Sequence, residues 1–176
     1  MPERVQKGQG TMRAFTFENA TKIYFGGGCV KEHLLEAVKP YGETVMLAYG
    51  GGSIKTNGIY QEVMDVLKLA GKQVIEFSGI MPNPTYSKVM EGKKVVQENQ
   101  VDLILAVGGG SVMDCSKAIS MAAATDKDVW EEYWIKKGEI DFEPVPVGVI
   151  VTVVGTGSEV NGEGVICLLY TSDAAD

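Results

Sequence analysis

Short apolar runs alternate along this chain with longer stretches in which apolar residues recur every three or four positions. The runs are Thr21 to Phe25, Val45 to Tyr49, Gln73 to Phe77, Leu103 to Val107 and Pro144 to Thr152. Their length and their β-branched and aromatic content predict strands. Between them lie Val30 to Val38, then Ile59, Val63, Val66, Leu67 and Ala70, then Val89, Val95 and Val96 ahead of Glu98, and finally Val112, Cys115, Ala118, Ile119, Ala122 and Ala123. Each set falls on one face of a helix. Trp130, Tyr133 and Trp134 are expected to cap the last helix. Strands that alternate with helices of this length predict an α/β fold: a Rossmann-like, doubly wound, mainly parallel sheet with helices on both faces and ligands at the carboxyl ends of the strands.

Glycines punctuate this pattern at the places where a ligand would sit. The chain has 22 of them in 176 residues, and they gather at Gly26 to Gly28, Gly50 to Gly52, Gly108 to Gly110 and Gly155 to Gly157, each directly after a predicted strand. The turn Gly108-Gly109-Gly110-Ser111 leads from a buried strand straight into a helix. Lacking Cβ, such a turn lets backbone approach a ligand, and the first amides of the helix carry the positive end of its dipole, so a pyrophosphate is the expected guest. Ser111 and Asp114 also have capping-box character, in which they satisfy helix-end amides. The spacing matches neither the dinucleotide fingerprint with glycines at first, third and sixth positions nor a Walker loop.

Gly50, Gly51, Gly52 and Ser53 end the second predicted strand, where a dinucleotide fold commonly sets a carboxylate on the adenosine ribose. No acid stands in that turn, and Lys55 follows it. The turn therefore favours NADP, whose 2′-phosphate a carboxylate would repel, with NAD as the other possibility. Thr152, Thr156 and Ser158 form a hydroxyl-rich loop after the last strand, able to meet phosphate or ribose oxygens.

The length suits one domain, read as residues 12–166, preceded by a polar leader at 1–11 with no periodic pattern and followed at 167–176 by an atypical segment that reads as a truncated or chimeric tail. A formal charge of −7 without a basic stripe argues against a nucleic-acid partner. Three cysteines without metal or redox spacing, and no membrane-length apolar run, point to a reducing cytoplasm and no membrane partner. Cys115 lies on an apolar helix face and reads as core. His33 is the sole histidine and sits among charged residues, which excludes a histidine-rich metal cage.

Taken together, Phe15 to Phe17 with Thr21 to Gly26, Tyr49 to Lys55, Pro82-Asn83-Pro84, Gly108 to Ser111 with Asp114 and Lys117, and Thr156 to Glu159 resemble the iron-containing (group III) alcohol dehydrogenase family, in its NADPH-dependent butanol dehydrogenase-like branch. The resemblance spans about Met12 to Ile166, the amino-terminal dinucleotide-binding half. It implies hydride transfer between the nicotinamide ring and a small aldehyde or primary alcohol, with a divalent iron or zinc polarising the oxygen. It also implies that Gly109, Gly110 and Ser111 hold the pyrophosphate, and that Gly51, Gly52 and Ser53 hold the adenosine 2′-phosphate. Thr152 and Thr156 would meet further cofactor oxygens, and Asp114 would face the nicotinamide end. The family's metal ligands, an aspartate and three histidines, belong to a helical second domain expected beyond Ile166, and the complete enzyme is expected to be a homodimer. No catalytic or metal-binding residue is therefore assigned, and this polypeptide alone is expected to be inactive. The alternatives are a non-catalytic nucleotide-binding module and a part of a glycerol-dehydrogenase-like enzyme.

Overall fold

The structure, a computed structural model, describes residues 19–168. The predicted leader at 1–11 and all of the predicted tail beyond Leu168 lie outside the described residues. In chain order the elements are α1 (Cys29–Val38), β1 (Thr44–Tyr49), α2 (Ser53–Thr56), α3 (Ile59–Leu69), β2 (Gln73–Phe77), α4 (Tyr86–Asn99), β3 (Leu103–Gly108), α5 (Gly110–Ala123), a π-helical turn (Trp130–Ile135) and β4 (Val147–Val151).

The four strands form one parallel sheet in the order β2-β1-β3-β4. Because side chains alternate across a strand, β1 and β3 each feed two cores. Val45, Leu47, Leu103, Leu105 and Val107 meet Leu34, Val38, Val63 and Leu67 of α1 and α3 on one face. Met46, Ala48, Ile104 and Ala106 meet Val89, Val96, Ala118 and Ile119 of α4 and α5 on the other. Burial on both faces is why these two strands read as continuous apolar runs rather than alternating ones. Each fully buried aliphatic side chain there contributes about 1.5–3 kcal/mol.

Two predicted strands change. Thr21 to Phe25 forms no strand and pairs with none among the described residues, and Ile23 and Phe25 remain exposed. Alternation of side chains supplies a sticky face, but a strand also needs a partner's ladder, which the pattern of one segment cannot specify. The run from Pro144 contracts to Val147–Val151 because Pro144 and Pro146 have no N–H to donate. Pro146 still takes part as an acceptor, receiving the Ile104 N–H at 2.9 Å. The aromatic cap is present as the π-helical turn, where Trp130 and Trp134 stack with centroids 6.1 Å apart and pack on the α4 and α5 core.

The edge strand β2 is tied down by a polar cluster on the α3 face. Glu76 accepts hydrogen bonds from the Tyr49 hydroxyl at 2.5 Å, the Tyr60 hydroxyl at 2.7 Å and the Lys55 ammonium at 3.2 Å, so one carboxylate joins β1, β2, α2 and α3. The ammonium also lies over the Tyr60 ring at 4.5 Å. Donation from Tyr49, then from Tyr60, holds the Glu76 carboxyl below the usual carboxylate range. The same carboxylate raises the Tyr60 phenol, chiefly by accepting its hydrogen bond.

Helices α4 and α5 touch closely through Gly92, where an added Cβ would lie 2.3 Å from Ile119 Cδ1 and 2.6 Å from its Cγ1. Ile119 is fully buried and has no room to withdraw. Gly92→Val is expected to destabilise the chain by about 1–3 kcal/mol through overpacking, read as a lowered midpoint in urea. A carboxyl with a depressed folded-state pKa stabilises above its unfolded pKa and loses that contribution as pH falls through the folded value. The stability gap between the chain and Glu76→Gln should therefore be widest near neutral pH and close as the solution is acidified below the carboxylate range. Paired urea titrations across that range check it, and a gap independent of pH would contradict the assignment.

Candidate functional site

Strand order places the glycine turns. The connection from β1 runs over the α3 face to β2, whereas the connection from β3 runs over the α5 face to β4 on the opposite side. Loops leaving β1 and β3 therefore part in opposite directions, which opens a crevice outside their carboxyl ends, the position where doubly wound sheets bind ligands. Gly50, Gly51, Gly52 and Ser53 form one wall of that crevice, and Gly108, Gly109, Gly110 and Ser111 form the other. Thr152 stands beside them at the end of β4, where its N–H reaches the Gly108 carbonyl at 2.9 Å.

One side chain links the two turns. Val112, in the first turn of α5, lies where a Cβ on Gly108 would be, 2.7 Å from the Val112 Cβ, and its Cγ2 comes within 3.9 Å of a Cβ built on Gly50. Glycine at 108 thus lets α5 descend onto the strand ends. The start of α5 has no side-chain cap, and the Val112 and Met113 amides both go to the Gly109 carbonyl at 3.1 Å. The Gly110 and Ser111 amides, at the first positions of the helix, have no intrahelical acceptor and point at the crevice with the positive dipole end. Gly110 is closed in by the last loop: a Cβ there would lie 2.7 Å from Thr156 Cγ2 and 3.1 Å from its Oγ1.

A pocket of about 380 Å³ opens at this point. Of the sequence candidates it gathers Gly110, Ser111, Asp114, Thr156 and Ser158. Gly50, Gly51, Gly52, Ser53, Gly108, Gly109 and Thr152 occupy the same end of the sheet without lining it. The pocket also recruits Asn83 and Pro84 from the β2–α4 connection, and Asn161, Glu163, Gly164 and Val165 from the loop after β4. Asn83 was visible as part of the Pro82-Asn83-Pro84 motif, with no binding role assigned to it. Asn161 and Glu163 carried no periodicity or spacing that could have singled them out.

One sequence reading is corrected by these contacts. The capping box at Ser111 and Asp114 is absent. Asp114 instead accepts the Val165 N–H at 3.0 Å, and its other oxygen lies 3.5 Å from the Lys117 ammonium without forming a hydrogen bond. A carboxylate held by a distant loop is unavailable to its own helix end. Lys55, which follows the Gly50 to Ser53 turn, donates a hydrogen bond to Glu76 at 3.2 Å, and its interactions with Tyr49 and then Glu76 raise its pKa and keep it charged. Glu76, from β2, thus lies beside Lys55 although the Gly50 to Ser53 turn carries no acid of its own. Cys115 is core, as read: it is fully buried, and burial pushes its thiol up to about 12, far from thiolate chemistry at neutral pH. His33 is half-buried on α1 and stacks on Tyr24 at 4.3 Å.

The cradle suits a dinucleotide, because its open glycine backbone and unpaired helix amides are what phosphate and ribose oxygens require. It does not suit a metal. Among the described residues no three His, Cys, Asp or Glu side chains lie together to hold one. No described helix is long and apolar enough to cross a membrane.

Comparison with known proteins places the whole described region. Residues 20–172 match the family model for iron-containing alcohol dehydrogenase. The chain is 46% identical over 155 residues to the probable NADH-dependent butanol dehydrogenase 1 of Bacillus subtilis (strain 168), covering 88% of this chain and 39% of that protein. It is 39% identical over 163 residues to the NADPH-dependent aldehyde reductase YqhD of Escherichia coli (strain K12), covering 92% of this chain and 41% of that protein. The crystal structure of NADH-dependent butanol dehydrogenase A from Thermotoga maritima superposes with a TM-score of 0.82 at 41% identity, over 89% of this chain and 39% of that one. The chain thus spans about two-fifths of the length of these relatives. Fold, motif order and sequence agree: the chain belongs to the iron-containing alcohol dehydrogenase family.

Proposed function

We propose that this chain is the dinucleotide-binding part of a metal-dependent, NAD(P)-linked alcohol dehydrogenase or aldehyde reductase, which passes a hydride between a reduced nicotinamide and a small aldehyde or its primary alcohol. The supporting observation is the convergence of two glycine turns at the switch point between β1 and β3, with Val112 lying against both. In this reading the amides of Gly109, Gly110 and Ser111 hold the pyrophosphate, and those of Gly51, Gly52 and Ser53 hold the adenosine ribose and its substituent. Thr152 and Thr156 supply further donors, and Asp114 borders the nicotinamide side of the pocket. The metal that polarises the substrate oxygen in such chemistry would be held by residues other than those described here. Binding and turnover are therefore separable for this polypeptide: it should bind dinucleotide without oxidising butanol.

The cofactor preference follows from Lys55. Its charge is engaged by Glu76 at 3.2 Å, so a 2′-phosphate would meet main-chain amides and no unpaired ammonium. The names of the relatives divide in the same way, NADH-dependent for the Bacillus protein and NADPH-dependent for the Escherichia one. We expect NADH and NADPH to bind this chain with Kd values within about tenfold of each other, that is within about 1.4 kcal/mol. Titration followed by nicotinamide fluorescence measures both, and a preference of about a hundredfold for either would contradict this reading. Gly110→Ala, whose new methyl meets Thr156, should weaken both affinities by about tenfold or more by displacing the wall of the pocket. Gly109→Ala, with 3.5 Å to Val153, should keep the fold intact as judged by its thermal midpoint. Undiminished binding by Gly110→Ala would remove the pocket from the proposed site.

A further inference from the structure

The loop that walls the pocket has almost no backbone structure of its own. Between Val153 and Ile166 one backbone hydrogen bond is found among the described residues, from the Val160 N–H to the Gly157 carbonyl at 3.1 Å. The remaining internal bonds are local side-chain turns, Ser158 N–H to Thr156 Oγ1 at 3.3 Å and Glu163 N–H to Asn161 Oδ1 at 3.1 Å. Gly155, Gly157, Gly162 and Gly164 widen the conformations open to it. Its observed shape must come largely from contacts outside the loop.

Asn19 Nδ2 donates to the Val160 carbonyl at 2.9 Å, and most of the other polar contacts converge on one atom. Lys117 Nζ donates to the carbonyls of Ser158 at 3.0 Å, Asn161 at 3.3 Å and Glu163, and to Asn161 Oδ1 at 3.0 Å, while Asp114 Oδ1 stands 3.5 Å away. An ammonium has three N–H bonds, so this many oxygens surround it as a cage surrounds a small cation. The side chain is about one-fifth exposed, and Lys117 does not line the pocket. It stands behind the wall. One turn earlier on α5, Asp114 accepts the Val165 N–H and closes the far end of the same loop.

We propose that Lys117 is a positioning residue: its ammonium takes the place of secondary structure in the 156–165 loop, holds Thr156 and the pocket wall against the start of α5, and so controls dinucleotide affinity without touching the ligand. The part concerning affinity rests on the dinucleotide reading of the site, and the part concerning loop order does not. Lys117→Met keeps the length of the side chain and removes the charge. Lys117→Cys treated with 2-bromoethylamine returns an ammonium at nearly lysine length, with the unsubstituted chain treated alongside because Cys29 and Cys167 are also partly accessible.

Amide exchange is read by residue, and NADH affinity by titration. Lys117→Met should exchange at least about tenfold faster across 156–165 while β1, β3 and α5 stay protected, and its Kd for NADH should rise by about tenfold or more. Aminoethylation of Lys117→Cys should reverse both changes. Unchanged exchange in the loop, or faster exchange that the restored ammonium fails to reverse, overturns the proposal. If the unsubstituted chain binds no NADH, the functional reading fails and the exchange result still decides the role of Lys117. Should Lys117→Met not fold, Asn161→Ala removes one oxygen of the cage from the loop side, and unaltered exchange in that variant likewise overturns the proposal.

Discussion

The close seating of α5 on the ends of β1 and β3 is the contact on which this architecture turns. It exists because position 108 has no Cβ: Val112 occupies that space and reaches across toward Gly50, so one small side chain sets the height of the helix over both strands. Had α5 stood higher, its unpaired amides would face solvent away from the crevice. The interior-like helix face of Cys115, Ala118, Ile119 and Ala122 continues the same logic toward the other end, since small residues permit a short distance between helix and sheet. The proposed phosphate cradle and the core are thus two ends of a single packing arrangement.

Much of this was legible in the chain, and the division between what was and was not has a physical basis. The central strands announce themselves because burial on both faces demands uninterrupted apolar runs, and α3, α4 and α5 because their inner faces repeat at helical spacing. The glycine turns were visible because a backbone approached closely by a helix or a ligand tolerates few other residues. Thr21 to Phe25 misled because alternation reports a surface and not a partner. The pairing of Lys55 was not legible because Glu76 lies 21 residues further on and meets it only through sheet register. Asp114 and Lys117 were visible as part of a motif, but their partners lie 41 to 51 residues away in a loop without periodicity.

That loop matters for how the site is assembled. A doubly wound sheet supplies strands, turns and helix ends from local pattern, yet the wall nearest the proposed nicotinamide end comes from a glycine-containing segment shaped by the charges of α5. After passing the pocket it docks through Cys167, whose carbonyl accepts the Tyr86 N–H at 2.7 Å and whose own N–H reaches the Pro84 carbonyl at 2.9 Å. Asn83 and Pro84 are thereby brought beside the cradle. Elements far apart in the chain share one rim, and Lys117 and Asp114 bridge α5 to the loop among them.

The central claim is that main-chain amides at neighbouring strand ends grip a nicotinamide dinucleotide. Backbone chemical-shift mapping of the chain during addition of NADH tests it most directly. The account predicts shifts concentrated at Gly51 to Ser53, Gly109 to Ser111 and Thr156, with the outer surface of α3 undisturbed. Shifts centred instead on the groove beside Tyr60, Met64 and Lys68, or confined to one of the two glycine turns, would contradict it.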